Sequence, residues 1–221
     1  MKLFNRNEYV IVSDFDGTIT REDSNALLAE VCGNEENAQI EIDFIGGIID
    51  NRSAFVRHFD AMQLTLRDYN DFIRSYIKID PEFDSFLKLV REKNITLYIV
   101  SAGFRQAIEA VLGDERLNGV EVFANTLSGE PYITPKFATE MPDCDKPYGP
   151  CGNCKRNCIT TIRQKCGRKI LYIGDGITDR CVVGKADLLF AKDSLAKFCD
   201  ENMPAYMPFN NFADIIVALD L

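Results

Sequence analysis

The chain has 221 residues, enough for one large domain or for a core domain with a sizeable insertion. Lysine and arginine number 25 against 34 aspartate and glutamate residues, and the formal net charge of −9 argues against binding to nucleic-acid phosphates. No stretch approaches the roughly 18 apolar residues of a membrane span, and MKLFNRNEYV lacks the apolar region of a signal peptide. We therefore expect a cytoplasmic protein with no nucleic-acid or membrane partner, and leave a homodimer open.

Apolar, β-branched runs predict four strands, at residues 9–14, 95–100, 169–173 and 187–190. Helical patterns such as EFDSFLKLVREKN and AGFRQAIEAVL alternate with these runs. Continuous apolar strands separated by helices are typical of a parallel sheet that is covered on both faces. The sequence therefore predicts an α/β fold with a Rossmann-like parallel sheet and helices on both faces.

The gap between the first two predicted strands is too long for one crossover helix. It contains several helical patterns, among them NRSAFVRHFDAM and LRDYNDFIRSYIKI, and it ends at the pair Asp80-Pro81. We therefore predict a small helical cap over residues 21–80, inserted into a catalytic core formed by residues 1–20 and 81–221. Farther along, SGEPYITPKF resembles a hairpin and PDCDKPYGPCGN a loop.

The first predicted strand ends in two carboxylates, within VIVSDFDGTIT. Asp14 and Asp16 are two residues apart, so their side chains should project together, while Phe15 points to the other side. Ligands of open α/β sheets bind at the carboxyl ends of the strands. Two carboxylates there are unfavourable unless a cation lies between them, and hard oxygen ligands suit Mg²⁺. The alternative is that FDGT is an ordinary Asp-Gly hairpin turn.

A second polar element follows the strand ITLYIV and consists of Ser101, Ala102 and Gly103. If these residues open a helix, their free N–H groups and the helix dipole suit a phosphate. The alternative is an ordinary serine N-cap.

Two more elements complete the series. Lys155, in CGNCKRNC, lies beside a predicted helix, although a lone lysine is usually a solvated surface charge. The strand in LYIGDGITD ends at Asp175, with Asp179 shortly after it. The alternative for these carboxylates is a loop that caps a helix over residues 177–185.

Taken in this order, DFDGT, a serine after a strand, a lysine and GDxxxD resemble the motifs of the haloacid dehalogenase superfamily of aspartate-nucleophile phosphotransferases. The four elements span residues 14–179 and therefore most of the chain. The helical insertion is similar to the cap of the phosphoserine phosphatase-like branch. Within that branch, CGNCK and the segment that begins IGDGITDRC are most similar to the methionine-salvage phosphatases, which act on a hydroxy-keto-methylthiopentenyl phosphate.

The resemblance implies a Mg²⁺-dependent phosphatase with an aspartyl-phosphate intermediate. Asp14 would be the nucleophile and Asp16 the general acid and base. Asp14, the backbone carbonyl of Asp16 and Asp175 would hold the cation, and Asp179 would either orient Lys155 or complete the metal shell. The catalytic set is thus Asp14, Asp16 and Lys155, and the phosphate would be bound by Ser101, Ala102, Gly103, Lys155 and Asp179.

The cap should contact the rest of the substrate, a small phosphorylated metabolite. Phosphoserine phosphatases grip the amino acid with an acidic residue and a cap arginine. Here Asp23 stands near the acidic position, but His58 stands where the arginine would be, with Arg57 beside it. We predict that inward-facing cap residues contact the substrate, among them Asp23, Phe44, Phe55 and either Arg57 or His58, and we do not expect His58 to be a catalyst. Phosphoserine phosphatase and a phosphotransferase or mutase remain the alternatives.

A cluster of cysteines also requires an interpretation: Cys144, Cys151, Cys154 and Cys158. Four thiolates can bind zinc, although this spacing is not that of two paired knuckles. Reduced thiols or incidental disulfides are the favoured alternative. A zinc site would be typical of a metal- or redox-binding protein that has this scaffold but no catalytic activity. The intact acidic motifs argue against that class of protein.

Overall fold

The structure is a computed structural model that describes residues 4–139, 149–202 and 204–221. At its centre is a seven-stranded sheet with the strand order β4-β3-β2-β1-β5-β6-β7. The strands are β1 Tyr9–Ser13, β2 Leu97–Phe104, β3 Glu121–Ser128, β4 Thr134–Lys136, β5 Lys169–Gly174, β6 Leu188–Ala191 and β7 Met207–Pro208. Neighbouring strands are parallel except for the antiparallel pair of β3 and β4.

Nine α-helices and one 3₁₀ helix pack around the sheet within the described residues. They are α1 Ser24–Cys32, α2 Glu35–Ile45, α3 Asn51–Met62, α4 Leu66–Tyr76, α5 Phe83–Glu92, α6 Arg105–Leu117, α7 Lys155–Cys166, the 3₁₀ helix Ile177–Val182, α8 Asp193–Asn202 and α9 Phe212–Leu219. In this part of the chain, no helix has both the length and the apolar character that crossing a bilayer demands.

Apolar side chains from successive positions of β1 enter two separate cores. Ile11 packs into a core that includes α5, α6 and α9, whereas Val10 and Val12 pack into one that includes α7 and α8. Both faces of β1 are therefore buried, which explains its continuous apolar sequence. The predicted α/β class, with helices on both faces of a Rossmann-like sheet, is confirmed.

The position of β1 brings the sequence motifs together. This strand pairs in parallel with β2 and with β5, and Ser13 lies opposite Ile99 on one side and Ile173 on the other. The carboxyl ends of these three strands, with the polar residues located there, therefore meet at one edge of the sheet. The Asp14 N–H continues the ladder by donating to the Ile173 carbonyl at 2.9 Å.

Helices α1–α4 occupy the segment between β1 and β2, within the predicted cap at residues 21–80. The two ends of this insertion lie side by side, because Thr20 and Ile79 form an antiparallel bridge. The Arg21 N–H donates to the Lys78 carbonyl at 2.9 Å, which ties the ends together. The division into core and cap stays a prediction.

Two helix boundaries differ from those expected. The helix after β2 begins at Arg105 and not at Ser101, because β2 continues to Phe104 with a register shift against β3 between Val100 and Phe104. The helix expected at 177–185 is a 3₁₀ helix over Ile177–Val182. The predicted hairpin is confirmed by the β3–β4 pair, whereas most of the predicted loop at 142–153 lies outside the described residues.

Candidate active site

A cavity of about 280 Å³ lies at the carboxyl ends of β1, β2 and β5, and α1–α3 form its other wall. The sheet side is lined by Asp14, Asp16, Ser101, Ala102, Gly103, Lys155, Asp175, Gly176, Ile177, Thr178 and Ser194. The helical side is lined by Asp23, Asn25, Ala26, Glu41, Phe44, Ile45, Asn51, Ala54, Phe55 and His58. The four sequence elements are thus brought into one pocket, together with the predicted Asp23.

Lys155 is the first residue of α7, and its ammonium lies between two carboxylates. Its Nζ is 2.6 Å from Asp14 Oδ2 and 2.6 Å from Asp179 Oδ1, and all three side chains are almost fully buried. The Tyr172 hydroxyl also donates to Asp179 Oδ1 at 2.6 Å, and the N–H groups of Asp175 and Gly176 donate to Asp179 Oδ2. Asp179 is therefore held by four donors and in turn holds Lys155 against Asp14.

Negative charge exceeds positive charge in this part of the pocket. Carboxylate oxygens of Asp14, Asp175 and Asp179 lie within 4.8 Å of one another. Among the described lining residues, Lys155 is the only lysine or arginine. Two buried carboxylates and the partly buried Asp175 beside one ammonium leave an excess of negative charge, which favours binding of a cation or protonation of a carboxyl.

The pKa values reflect this imbalance. Burial, then the negative charge of Asp179, raises the pKa of Asp14 well above its ordinary value, although Lys155 acts in the opposite direction. The same two causes raise the pKa of Asp175 to about 7. Burial also acts against the charged form of Asp179, but Lys155 and the hydrogen bonds from Tyr172 and Gly176 outweigh it and lower that pKa.

The donor set suits a hard cation such as Mg²⁺, which prefers oxygen ligands. Asp14 and Asp175 come from adjacent strands and offer carboxylate oxygens to the same space. The Thr18 hydroxyl donates to Asp175 Oδ1 at 2.5 Å and orients that carboxylate. Asp179 is less suited as a ligand because its four donors already occupy both of its oxygens.

The Asp16 side chain is directed toward different partners from those of Asp14. Its Oδ1 accepts hydrogen bonds from the N–H and hydroxyl of Ser24, at the start of α1, and its Oδ2 accepts from the Ser101 hydroxyl at 3.3 Å. Burial, and then the negative charge of Asp23, raises the pKa of Asp16 to about 7 despite the bonds from Ser24. A carboxyl with this pKa exchanges a proton readily near neutral pH.

The segment Ser101–Gly103 lies in the irregular end of β2. Ser101 is fully buried, and its hydroxyl accepts a hydrogen bond from the Gly103 N–H at 2.8 Å. The absence of a side chain at Gly103 matters, because a Cβ there would lie 2.5 Å from Asp16 Oδ2 and 3.0 Å from Asn25 Nδ2.

We expect Gly103→Ala to lower kcat by about tenfold or more, since the added methyl displaces the Asp16 carboxylate. The rest of the fold should tolerate the change, with a loss of about 1–3 kcal/mol in the free energy of unfolding. Steady-state kinetics beside urea unfolding would measure both effects. An unchanged kcat would show that the position of Asp16 is not critical.

The structure corrects the expectation for Arg57. This residue is exposed on α3 and does not line the pocket, whereas Ala54, Phe55 and His58 do. These lining residues recur three to four positions apart and therefore share one face of the helix. Arg57 lies outside this face and is exposed to solvent, so it is not placed to contact a substrate in the pocket.

Several lining or supporting residues were not anticipated from the sequence: Thr18, Asn25, Asn37, Glu41 and Tyr172. Thr18 belongs to the first motif and could have been read from it. The others depend on how distant elements pack, and no local pattern marks them.

The cysteine cluster does not form a metal site in the part of the chain that is described. Apart from the Asp14, Asp175 and Asp179 group, no three histidine, cysteine or acidic residues with described positions come close enough to share an ion. Cys158 is buried, its thiol faces Asn153 Oδ1 at 3.2 Å, and burial raises its pKa to about 12. Cys144 lies outside the described residues.

Comparisons with known proteins agree with this geometry. The sequence pattern of the haloacid dehalogenase-like hydrolases matches residues 11–183, which include all the motif residues. The chain is 26% identical over 226 residues to the Pdp3-interacting factor 1 of Schizosaccharomyces pombe, covering 95% of this chain and 94% of that one. It is 29% identical over 213 residues to a 2-hydroxy-3-keto-5-methylthiopentenyl-1-phosphate phosphatase of Bacillus mycoides, again covering 95% and 94%.

A solved structure with the same fold is a phospho-aspartyl intermediate analogue of phosphoserine phosphatase. It superposes with a TM-score of 0.69 at 18% sequence identity, over 95% of this chain and 97% of the other. At 18% sequence identity, this similarity shows a shared fold and no more.

Proposed function

Because the chain belongs to the haloacid dehalogenase-like hydrolase family, we propose that it is a phosphatase that hydrolyses the phosphate monoester of a small metabolite. The observation that carries the proposal is the cluster of Asp14, Asp175 and Asp179 around Lys155, at the carboxyl ends of the central strands. A phosphate monoester is a dianion that repels nucleophiles, so catalysis requires positive charge beside a fixed nucleophile.

Asp14 is the nucleophile. Its carboxylate attacks phosphorus and forms an aspartyl-phosphate, and this divides one difficult step into two easier ones. Lys155 lies 2.6 Å from Asp14 and stabilises the charge on the phosphoryl oxygens. Asp179 positions Lys155, and Ser101, Ala102 and Gly103 contribute polar groups to the phosphoryl site.

Asp16 transfers the protons. In its protonated form it donates a proton to the leaving alkoxide, and as a carboxylate it then accepts one from the water that cleaves the aspartyl-phosphate. Its pKa of about 7 lets it serve in both forms near neutral pH. Ser24 and Ser101 keep its two oxygens oriented during this exchange.

Magnesium is the proposed cofactor, held by Asp14, Asp175 and the backbone carbonyl of Asp16. When bound, Mg²⁺ neutralises the charge between the anionic nucleophile and the anionic substrate. The excess of carboxylates over ammonium groups in the pocket supports this assignment.

We expect hydrolysis of p-nitrophenyl phosphate to require Mg²⁺. Removal of the cation with excess chelator should lower the rate by at least about a hundredfold, because the carboxylates then repel the substrate. Readdition of Mg²⁺ beyond the chelator should restore the rate. Equal rates with and without chelator would contradict the proposed cofactor, and no phosphate release under either condition would contradict the proposed function.

The reaction is proposed in detail, whereas the substrate is proposed only as a small phosphorylated metabolite. The enol phosphate named for the Bacillus mycoides relative is a candidate, since it is small, acyclic and carries no carboxylate. Phosphoserine as the substrate and transfer of the phosphoryl group to a second alcohol are the alternatives. A mass balance of released phosphate would distinguish hydrolysis from transfer, and kcat/KM measured on both esters would distinguish the substrates. A cytoplasmic location and a homodimer stay predictions.

A further inference from the structure

The part of β2 that lines the pocket is not regularly paired with β3. Val100 lies opposite Phe123 and Phe104 lies opposite Asn125, so three residues of β2 stand where β3 has one. We call these three, residues 101–103, the bulge segment. Extra residues in a strand leave backbone groups outside the sheet ladder, and buried backbone groups are almost always hydrogen-bonded. The backbone of the bulge segment therefore requires partners from elsewhere.

Asn153 supplies one of these partners. It is buried, and its Nδ2 donates to the Ser101 carbonyl at 2.8 Å and to the Phe123 carbonyl at 2.9 Å. The Cys158 thiol donates to its Oδ1 at 3.2 Å. Only the amide nitrogen can satisfy two carbonyls, so the orientation of this amide is fixed. Asn153 thus connects β2 to β3 where their direct pairing is interrupted.

A second buried asparagine, Asn125 on β3, holds the next peptide. Its Nδ2 donates to the Ala102 carbonyl at 2.7 Å, and its Oδ1 accepts from the Ala138 N–H at 3.1 Å. The bond from a backbone N–H identifies Oδ1 as the acceptor, so this amide also has one orientation. Two consecutive carbonyls of the bulge segment are therefore each bound by a buried asparagine.

These bonds set the direction of the N–H groups that follow. The C=O and N–H of a planar trans peptide point in opposite directions. Strand β2 lies between β3 and β1, and Asn153 bridges the Ser101 carbonyl to a carbonyl of β3. The Ala102 N–H is consequently directed toward β1, the side on which Asp14 and Asp16 line the cavity.

The next peptide has the same orientation. Because Asn125 binds the Ala102 carbonyl from β3, the Gly103 N–H is also directed toward β1, where it donates to the Ser101 hydroxyl at 2.8 Å. That hydroxyl donates in turn to Asp16 Oδ2 at 3.3 Å. The Gly103 N–H thus occupies an acceptor site of the hydroxyl and leaves its proton directed into the cavity.

We infer that Asn125 and Asn153 are positioning residues of the phosphoryl site. They hold the two peptides of the bulge segment so that the Ala102 N–H and the Ser101 hydroxyl face the transferred phosphate. This inference rests on the proposed function and adds two residues that do not touch the substrate. Donors fixed in advance stabilise the phosphoryl charge without reorganising during the reaction.

The position of the next helix explains why such residues are required. Helix α6 begins at Arg105, so the bulge segment lies outside its first turn and is not held by the hydrogen bonds of that helix. Without the asparagine amides, each peptide can rotate and turn a carbonyl oxygen toward the phosphate, which repels it.

The test uses Asn153→Asp and Asn125→Asp, which keep the shape of the side chain but replace the donor by an oxygen. With p-nitrophenyl phosphate and Mg²⁺, each change should lower kcat by at least about tenfold and raise the inhibition constant of inorganic phosphate by at least about fivefold. The Mg²⁺ concentration for half-maximal activity should change by less than about twofold, because neither asparagine contacts a proposed cation ligand. A merely structural role would lower Tm and leave these constants unchanged when they are measured well below it.

Two further variants separate the lost donor from the added charge. Asn157→Asp is the matched control, since Asn157 is exposed on α7 and gains the same charge near Lys155. Asn153→Ala removes the donor without a charge, and it replaces the aspartate variant if that chain does not fold. Equal changes in the Asn157→Asp control, or an unchanged phosphate inhibition constant in Asn153→Ala, would overturn the inference.

A direct readout is the amide resonance of Ala102 in protein labelled with ¹⁵N-alanine, identified by its absence from Ala102→Gly. Inorganic phosphate with Mg²⁺ should shift this resonance in the parent, and at saturating phosphate the shift should fall by at least about half in Asn153→Ala. A resonance that does not move in the parent would overturn the assigned donor.

Failure of this inference and failure of the proposed function give different results. If the parent hydrolyses p-nitrophenyl phosphate and the asparagine variants keep its constants, the asparagines are structural only and the phosphatase assignment stands. If the parent hydrolyses no phosphate ester with Mg²⁺, both are wrong.

Discussion

Asp14→Asn is expected to lower kcat by at least about a thousandfold while the chain stays folded, because the change removes the nucleophile and one charge from the cation site. The asparagine amide has nearly the same shape as the carboxylate, so the hydrogen bond from the Phe15 N–H to Oδ1 can be retained. Single-turnover and steady-state phosphate release would measure the loss.

The same variant should change the response to Mg²⁺. The amide loses the ion pair with the Lys155 ammonium, which keeps Asp179 as its partner, so we expect a loss of about 1–3 kcal/mol in the free energy of unfolding when Mg²⁺ is absent. The increase in Tm that Mg²⁺ produces in the parent should shrink in the variant. Asp71→Asn, on the exposed surface of α4, is the control for chemical handling. Activity within tenfold of the parent, with deamidation excluded, would show that another group attacks phosphorus.

Lys155→Met is expected to reduce both activity and stability. Without the ammonium, the carboxylates of Asp14 and Asp179 remain buried without their cation, a change that costs about 3–5 kcal/mol in comparable buried pairs. Loss of the cation that stabilises the phosphoryl charge should lower kcat by about a hundredfold or more. Urea unfolding in the presence of chelator, together with kinetics, would measure the two effects.

The stability loss should depend on pH in a defined direction. Burial opposes the charge of Lys155, but Asp14 and Asp179 outweigh it and raise the Lys155 pKa in the folded state, so the contribution of Lys155 is fully present throughout pH 5–8. Asp179 has a lowered pKa in the parent, and its contribution is present above its unfolded value. In the variant the pKa of each carboxyl rises, so the stability difference should grow from pH 5 to pH 8 as these groups lose their protons.

A matched control lies on the same helix. Lys165 forms an exposed ion pair with Glu121 at 2.5 Å. Lys165→Met should change the free energy of unfolding by less than about 1 kcal/mol, because solvent screens exposed pairs. A similar loss in both variants, or a loss for Lys155→Met that is the same at pH 5 and pH 8, would contradict the assigned role of the buried ammonium.

The sheet and the phosphoryl site follow from local sequence patterns. Apolar runs locate the central strands, and the polar residues after them meet because parallel strands end at one edge. The glycine of DFDGT also has a local reason, since Gly17 has a φ of +71° and a Cβ there would overlap the Asp175 carboxylate. These features depend on a few neighbouring residues each and could be read from the chain.

The helical wall could not be read in this way. Whether Arg57 or His58 faces the cavity depends on the rotation of α3, and Glu41 contributes only because α2 packs beside that helix. The helix after β2 begins later than predicted because pairing with β3 extends the strand to Phe104. Tertiary packing determines the rotation of α3, the contact of α2 with it and the start of the helix after β2. The local sequence does not indicate how these elements pack.

The central place of β1 has a consequence for synthesis of the protein. Strand β1 is synthesised before both of its partners, β2, which begins at Leu97, and β5, which begins at Lys169. At a translation rate of about 5–20 residues per second, both edges of this apolar strand remain unpaired for several seconds. Unpaired strand edges promote aggregation. We therefore expect the yield of active protein to depend on chaperone supply and temperature during translation more strongly than the stability of the finished fold would suggest.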